Sequence, residues 1–200
     1  MKKVLLIATL FGLVSACVSS RPIKYYRIDV PAATAAVPDN VFGVTLQVDN
    51  IDSAPLMRDG RILYQVGAHE MGAYEYHRWV ETPDRIVQDS LVRLLRSSGR
   101  YQSVETQRNS AKADYIIQGK IYEFSEVDKP EIHTRVSMEI ELREGKSDRT
   151  VWSRLYTNEE LVDGKEIPDV VESLDQNLRR GLSEIMTGLN QYFAGRAAKD

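Results

Sequence analysis

The chain has 200 residues, a formal charge of −3 and a single cysteine, and 42% of its residues are hydrophobic. This length and composition suit one globular domain with its own core. Charges of both signs are scattered without a basic block, which argues against nucleic-acid binding, and a lone cysteine excludes an internal disulfide.

The N-terminus has the pattern of an export signal. Two lysines precede an apolar run of eleven residues, 4–14, which is shorter than the roughly 20 residues of a membrane-spanning helix. The following Val14-Ser15-Ala16-Cys17 resembles the lipobox of bacterial lipoproteins, in which cleavage after Ala16 leaves Cys17 as the acylated first residue. We therefore predict a signal peptide over residues 1–16 and attachment of acyl chains such as palmitate to Cys17. The alternative is an ordinary signal peptide with a cysteine nearby by chance.

The mature chain begins close to the membrane. Removing residues 1–16 leaves 184 residues and takes away two lysines, so the charge changes from −3 to −5. Residues 17–23 form a short linker, because five extended residues span at most about 18 Å. Val18 follows the cysteine, where lipoproteins kept in the inner membrane of Gram-negative bacteria carry Asp. This resemblance indicates the outer membrane, with the domain facing the periplasm.

The mature chain alternates strand patterns with two helices. Apolar residues that alternate with polar ones predict strands over residues 24–30, 44–48, 61–64, 73–80, 101–106, 114–124, 136–143 and 150–161. Residues 83–100 change to a helical period, with Val87, Leu91 and Leu95 on one face and Gly99 at the end. A terminal helix begins near Pro168, and its apolar residues recur at steps of three or four: Val171, Leu174, Leu178, Leu182, Ile185, Leu189 and Phe193.

These patterns predict an α+β domain over residues 24–195, followed by a polar tail at 196–200. Each strand has one apolar face and each helix one apolar stripe, which calls for a mostly antiparallel sheet with two helices packed on one face. The clearest strand pair is a hairpin, because a turn at residues 145–148 joins the alternating segment 136–143 to 150–161.

We recognise no catalytic or metal-binding motif. His69-Glu70 begins like a zinc-protease helix, but Ala73 occupies the place of the second histidine. His77 and His133 do not have metal-ligand spacing, and the phosphate-binding loops and the serine-nucleophile turn are not found. We predict no catalysis, no cofactor and no metal. An enzyme whose site is built from distant residues is the alternative.

The fourth predicted strand is rich in aromatic side chains. On a regular strand Tyr74, Tyr76 and Arg78 share one face, while His77 and Trp79 share the other. Tyr, Trp and Arg are enriched at binding hot spots, so Tyr74, Tyr76, Arg78 and Trp79 are candidate partner-contact residues. The alternative is that these rings cover the sheet and pack against the helices.

Four segments in this order resemble the ABC-type transport auxiliary lipoprotein family. They are Lys24-Tyr25-Tyr26-Arg27-Ile28, Arg61-Ile62-Leu63-Tyr64, Tyr76-His77-Arg78-Trp79-Val80-Glu81-Thr82-Pro83 and Ala113-Asp114-Tyr115-Ile116-Ile117-Gln118-Gly119. The sequence departs from the family at Val80 and Thr82, where a small residue and a Pro-Leu pair shifted by one are expected.

The resemblance implies an outer-membrane partner of MCE-domain proteins, which form hydrophobic conduits across the periplasm from an inner-membrane ABC transporter. Such systems move lipids or other apolar molecules between the membranes and support envelope integrity. The resemblance makes this chain a non-catalytic docking component, assembled as a homo-oligomeric ring. One alternative is an envelope-assembly lipoprotein that acts on peptidoglycan synthesis or outer-membrane biogenesis. Another is a lipid carrier, which predicts an acyl-sized cavity between sheet and helices.

Overall fold

A computed structural model describes residues 21–31, 41–106, 113–128 and 130–198. The predicted signal peptide, which ends at Ala16, and the predicted acylation site Cys17 lie outside the described residues. The described chain forms, in order, β1 Lys24–Tyr26, β2 Phe42–Ser53, α1 Pro55–Arg58, β3 Arg61–Val66, β4 Glu70–Trp79, α2 Pro83–Ser97, β5 Tyr101–Glu105, β6 Tyr115–Asp128, β7 Ile132–Glu144, β8 Thr150–Leu161 and α3 Ile167–Ala197.

The strands form one mixed sheet in which β6 is central. β7 pairs antiparallel along one edge of β6, and β8 pairs antiparallel with β7. Along the other edge of β6, β2 pairs with residues 115–121 and β3 with residues 125–128, both in parallel. β5 lies parallel outside β2, while β4 lies antiparallel beside β3 and β1 parallel beside β4. The β1 and β8 ends therefore lie on opposite sides of β6.

The predicted α+β class is confirmed, and the sheet is mixed rather than purely antiparallel. Of the seven strand pairings in the described residues, four are parallel. Alternation along a strand predicts which face is buried but not the direction of its neighbour. The parallel pairs also join strands that are distant in sequence, such as β1 with β4.

Both long helices pack on one face of the sheet, because α2 and α3 each contact β6 and β2 and also touch each other. The stripe predicted on α3 is buried, with Leu174, Leu178, Leu182, Ile185 and Leu189 at 0% exposure. The alternating residues of β7 that it covers are also fully buried: Val136, Met138, Ile140 and Leu142. The predicted periods therefore mark the two halves of one core.

The helix and strand ends follow local chemistry. Gly99 follows α2 with φ +63°, a left-handed conformation that glycine adopts without strain. Helix α3 begins with a capping box, in which Asp169 accepts a hydrogen bond from the Glu166 backbone N–H at 2.9 Å. It ends at Ala197, so the predicted polar tail begins inside the helix. β1 is shorter than predicted and stops at Tyr26.

One element was not predicted. Helix α1 joins β2 to β3 and buries Met57. This four-residue excursion lets β2 and β3 pair with successive parts of the same edge of β6.

Candidate contact surface at the β1–β4 edge

The first described strand lies directly beside the strand that carries the candidate contact residues. β1 pairs with β4 in parallel, with Tyr25 opposite Arg78 and Tyr26 opposite Trp79. The Val80 backbone N–H then donates a hydrogen bond to the Tyr26 carbonyl at 2.8 Å. The segment that leaves the predicted lipid anchor is thus fixed to β4.

β4 is not a regular strand. Leu63 lies opposite Ala73, and Arg61 lies opposite Arg78. Two steps along β3 therefore correspond to five steps along β4, which leaves three additional residues in β4. An odd number of additional residues reverses the side-chain alternation. The prediction that Tyr74 shares a face with Arg78 is therefore wrong.

Trp79 belongs to the core. It is 4% exposed, and its ring lies 5.6 Å from the Phe124 ring between centroids. The structure therefore supports the alternative that the sequence left open for this residue, core packing rather than a partner contact.

Tyr74 is half-buried and takes part in a polar cluster inside the domain. Its hydroxyl donates a hydrogen bond to Glu126 at 2.9 Å, and its ring lies 5.8 Å from His77. Burial and then the Glu126 hydrogen bond raise the pKa of Tyr74, while burial raises the pKa of Glu126. His77 is hydrogen-bonded to the Tyr26 hydroxyl at 2.9 Å, and burial lowers the pKa of His77. Tyr74 therefore makes contacts within the domain.

Tyr76 and Arg78 alternate with His77 and Trp79 and lie on the other side of β4, and exposed Val80 directly follows the strand. Tyr25, which is 62% exposed, lies opposite Arg78. Ile23, which is 46% exposed, directly precedes β1. A surface of aromatic, aliphatic and basic side chains therefore forms along this edge. We call it the β1–β4 surface: Arg21, Ile23, Tyr25, Tyr76, Arg78 and Val80.

Charged groups of both signs surround this surface: Glu75 and Arg21 lie near Tyr76, and the Asp59 carboxylate lies 3.8 Å from Arg78. Tyr76 is hydrogen-bonded to Glu75, which raises the pKa of Tyr76, and nearby Arg21 acts in the opposite direction. Arg78 donates a hydrogen bond to the Asp59 carbonyl at 3.1 Å. Between residues 18 and 28 there are three basic residues and no acidic residue.

The sequence predicted Tyr76 and Arg78 but missed Ile23, Tyr25 and Val80. Tyr25 was assigned to a strand, yet nothing local shows that this strand pairs with β4. Val80 is exposed and stands where the sequence departs from the family. This departure is the one feature of the sequence that pointed to this surface.

The three histidines lie apart from one another. His69 is exposed in the turn between β3 and β4, His77 contacts Tyr26, and His133 is hydrogen-bonded to the Glu131 carbonyl at 2.8 Å. Within the described ranges, no group of three or more His, Cys, Asp or Glu side chains is placed to hold a metal ion.

Among the described residues, buried side chains from the sheet and from the helices pack against one another in one core. The largest fully buried ones come from both layers and include Leu46, Leu91, Ile117, Phe124, Met138 and Leu178. The groove between β8 and α3 lies at the surface, and its lining is largely polar: Trp152, Ser153, Arg154, Ser183, Glu184, Thr187, Gly188 and Gln191. Neither feature has the form of an acyl-chain cavity.

Comparison with known proteins identifies the family. Residues 26–186 match the ABC-type transport auxiliary lipoprotein component family. The chain belongs to this family. This auxiliary lipoprotein is similar in structure to protein XCC0632 from Xanthomonas campestris, with a TM-score of 0.76 and 18% identity over 88% of this chain and 100% of that one.

A second solved structure, of an uncharacterized protein, has a TM-score of 0.66 and 14% identity over 82% of the auxiliary lipoprotein and 97% of that chain. At these identities the likeness shows the fold alone. Among curated proteins no relative is found.

Membership in a lipoprotein family agrees with the export signal and lipobox of the sequence. No helix in the described part of the chain is long and apolar enough to cross a membrane. The family therefore identifies a membrane-anchored auxiliary component of ABC-type transport.

Proposed function

We propose that this auxiliary lipoprotein is a non-catalytic component of an MCE-type ABC transport system. It is anchored in the outer membrane through acylated Cys17, faces the periplasm and docks the MCE-domain conduit for lipid or other apolar substrates, and so supports envelope integrity. The observation that carries the proposal is the family match over residues 26–186.

The length of the tether supports a fixed docking position. Cys17 and Lys24 are separated by seven residues, which span at most about 25 Å when fully extended. The domain therefore stays near the headgroups, and the conduit from the inner membrane has to reach it.

The filled interface between sheet and helices supports docking rather than lipid carriage. Close approach of α3 to the sheet depends on Gly181, because a Cβ at this position would lie 2.7 Å from the side chains of Met138 and Tyr156. An acyl chain in this layer would have to displace fully buried side chains, and lost core contacts are costly. The transported molecule then passes through the conduit and not through this domain.

The free edge of β8 supports a homo-oligomeric ring. Within the described strands this 12-residue strand pairs only with β7, and an open edge offers backbone groups for pairing with another chain. Its Leu155 and Leu161 are 58% and 56% exposed. Native mass spectrometry of the lipidated protein in mild detergent measures the number of copies. A strictly monomeric species would remove the ring from the proposal.

Affinity capture tests the docking role. The tagged, lipidated protein is expressed at its native level and extracted in mild detergent, and the captured proteins and lipids are identified by mass spectrometry. We expect an MCE-domain protein among the captured proteins. The Cys17→Ser variant, which lacks the anchor, is the control for lipids that are carried along with the acyl chains. Capture of peptidoglycan-synthesis or outer-membrane-assembly proteins, without an MCE partner, would support the envelope-assembly alternative.

A further inference from the structure

We propose that the β1–β4 surface is a membrane-contact surface, which lies against the headgroups of the bilayer that holds the Cys17 acyl chains. The sequence predicts that Tyr76 and Arg78 contact a partner, and the structure favours anionic lipid as that partner. The proposal depends on acylation of Cys17 but not on the identity of the transport partner.

The position of the anchor is the first argument. β1 is the first described element after the linker and lies at one end of the strand order β1-β4-β3-β6-β7-β8. Neighbouring strands are about 4.8 Å apart, so β8 lies roughly 24 Å further along the sheet. Since the linker enters the sheet at β1 and reaches at most about 25 Å, the β1–β4 end is the part of the described sheet tied most closely to the bilayer.

The apolar side chains of this surface suit the interfacial region. Ile23, Tyr25 and Val80 are 46%, 62% and 47% exposed. Tyrosine carries an apolar ring with a polar hydroxyl, and such side chains are enriched at the boundary between water and lipid. These side chains therefore bury apolar surface in the headgroup region without inserting deeply into the bilayer.

The basic side chains suit anionic headgroups. Arg21, Lys24 and Arg27 lie within seven residues, with no acidic residue among them. A basic side chain close to an anionic leaflet strengthens membrane association by about fivefold. Arg21 lies near Tyr76 on this surface and gives it a charge opposite to that of the leaflet, whereas Lys24 lies beside His77 on the other face.

A protein partner fits this position less well. It would have to occupy the gap between the domain and the bilayer, which the linker also occupies. The remaining surface of the domain, apart from the β8 edge that the ring would use, is open to a conduit that arrives through the periplasm.

Thiol labelling tests the proposal on the full lipidated chain. Cys17 is the only cysteine and is blocked by acylation, so Tyr25→Cys adds the one free thiol. Val41→Cys is the matched control, because Val41 and Tyr25 are 66% and 62% exposed and Val41 lies on neither the β1–β4 surface nor the β8 edge. Each protein is placed in vesicles of phosphatidylethanolamine and phosphatidylglycerol and labelled with a water-soluble maleimide. The reference rates come from the same variants with Cys17→Ser, free in solution.

We expect the labelling rate at position 25 to fall by at least about fivefold on vesicles, and the rate at position 41 to change less than about twofold. Adding Arg21→Glu changes the local charge by two, so it should weaken the contact by about 25-fold and restore labelling at position 25. Equal rates at both positions on vesicles would overturn the proposal, as would protection that develops only after an MCE-domain protein is added. The intact mass confirms acylation separately, so failed lipidation is distinguished from a failed surface.

Discussion

Side-chain alternation is regular at the β7 end of the sheet and interrupted at the β4 end. Along β7, residues 136–142 alternate strictly, and the apolar set is fully buried under α3. Along β4, three additional residues interrupt the alternation, so Tyr74 turns toward Glu126 while Tyr76 and Arg78 lie beside the exposed Tyr25. The regular end holds the core together, and the irregular end presents a surface.

The comparison predicts a large loss of stability at the regular end. Leu178 on α3 is fully buried, so Leu178→Ala should lower the free energy of unfolding by about 2–5 kcal/mol through lost burial and the cavity that remains. Urea denaturation measures the change. The matched control is Leu155→Ala on exposed β8, which should stay within about 0.5 kcal/mol. Similar losses for both variants would contradict the assigned core.

A buried polar link between α3 and β8 gives the next effect. Asn177 is fully buried, accepts a hydrogen bond from the Tyr156 hydroxyl at 2.7 Å and donates one to the Asn158 carbonyl at 3.1 Å. Burial raises the pKa of Tyr156 to about 12, so this hydroxyl remains a donor at neutral pH. Asn177→Ala should cost about 1–3 kcal/mol, because buried partners lose hydrogen bonds.

A double-mutant cycle separates this link from simple packing. Tyr156→Phe removes the hydroxyl and keeps the ring, and the loss in the double variant should be smaller than the sum of the two single losses. Strict additivity in urea denaturation would show that the two side chains are not coupled.

At the irregular end we expect a pH effect from Glu126. Burial raises its pKa above the usual 4.5, so the folded state binds the proton more tightly than the unfolded state. The free energy of unfolding should therefore fall as the pH rises from about 4.5 through the higher folded pKa. Glu126→Gln, which keeps an acceptor for Tyr74, should flatten this dependence. Denaturation between pH 4 and 8 measures it, and an unchanged slope in the variant would assign the effect to another group.

The smallest expected effect is at the exposed surface. Tyr25→Ser should change the free energy of unfolding by less than about 0.5 kcal/mol, because the side chain is 62% exposed. A loss of 2 kcal/mol or more in urea denaturation would mean that Tyr25 packs as part of the core, and the contrast between the two ends would then fail.

The same contrast explains what the sequence could predict. Residues Val136 to Leu142 and the stripe on α3 show their period within one element, and the structure confirms both. The parallel pairing of β1 with β4 joins segments about fifty residues apart, and the additional residues in β4 depend on its partner strand. The residue pattern of a single segment shows neither the pairing nor the additional residues. Tyr74 was therefore placed on the wrong face, and Tyr25 was not recognised as part of the β1–β4 surface.

The most direct test of the account is binding of a purified periplasmic MCE-domain protein from the same organism to the lipidated chain in a nanodisc. We expect saturable binding of the MCE-domain protein. We also expect a thiol introduced as Tyr25→Cys to stay protected from labelling, because the conduit docks on the side away from the lipid. Failure of the folded, lipidated chain to bind would contradict the docking function. Binding that exposes position 25 would contradict the assignment of the β1–β4 surface to the membrane.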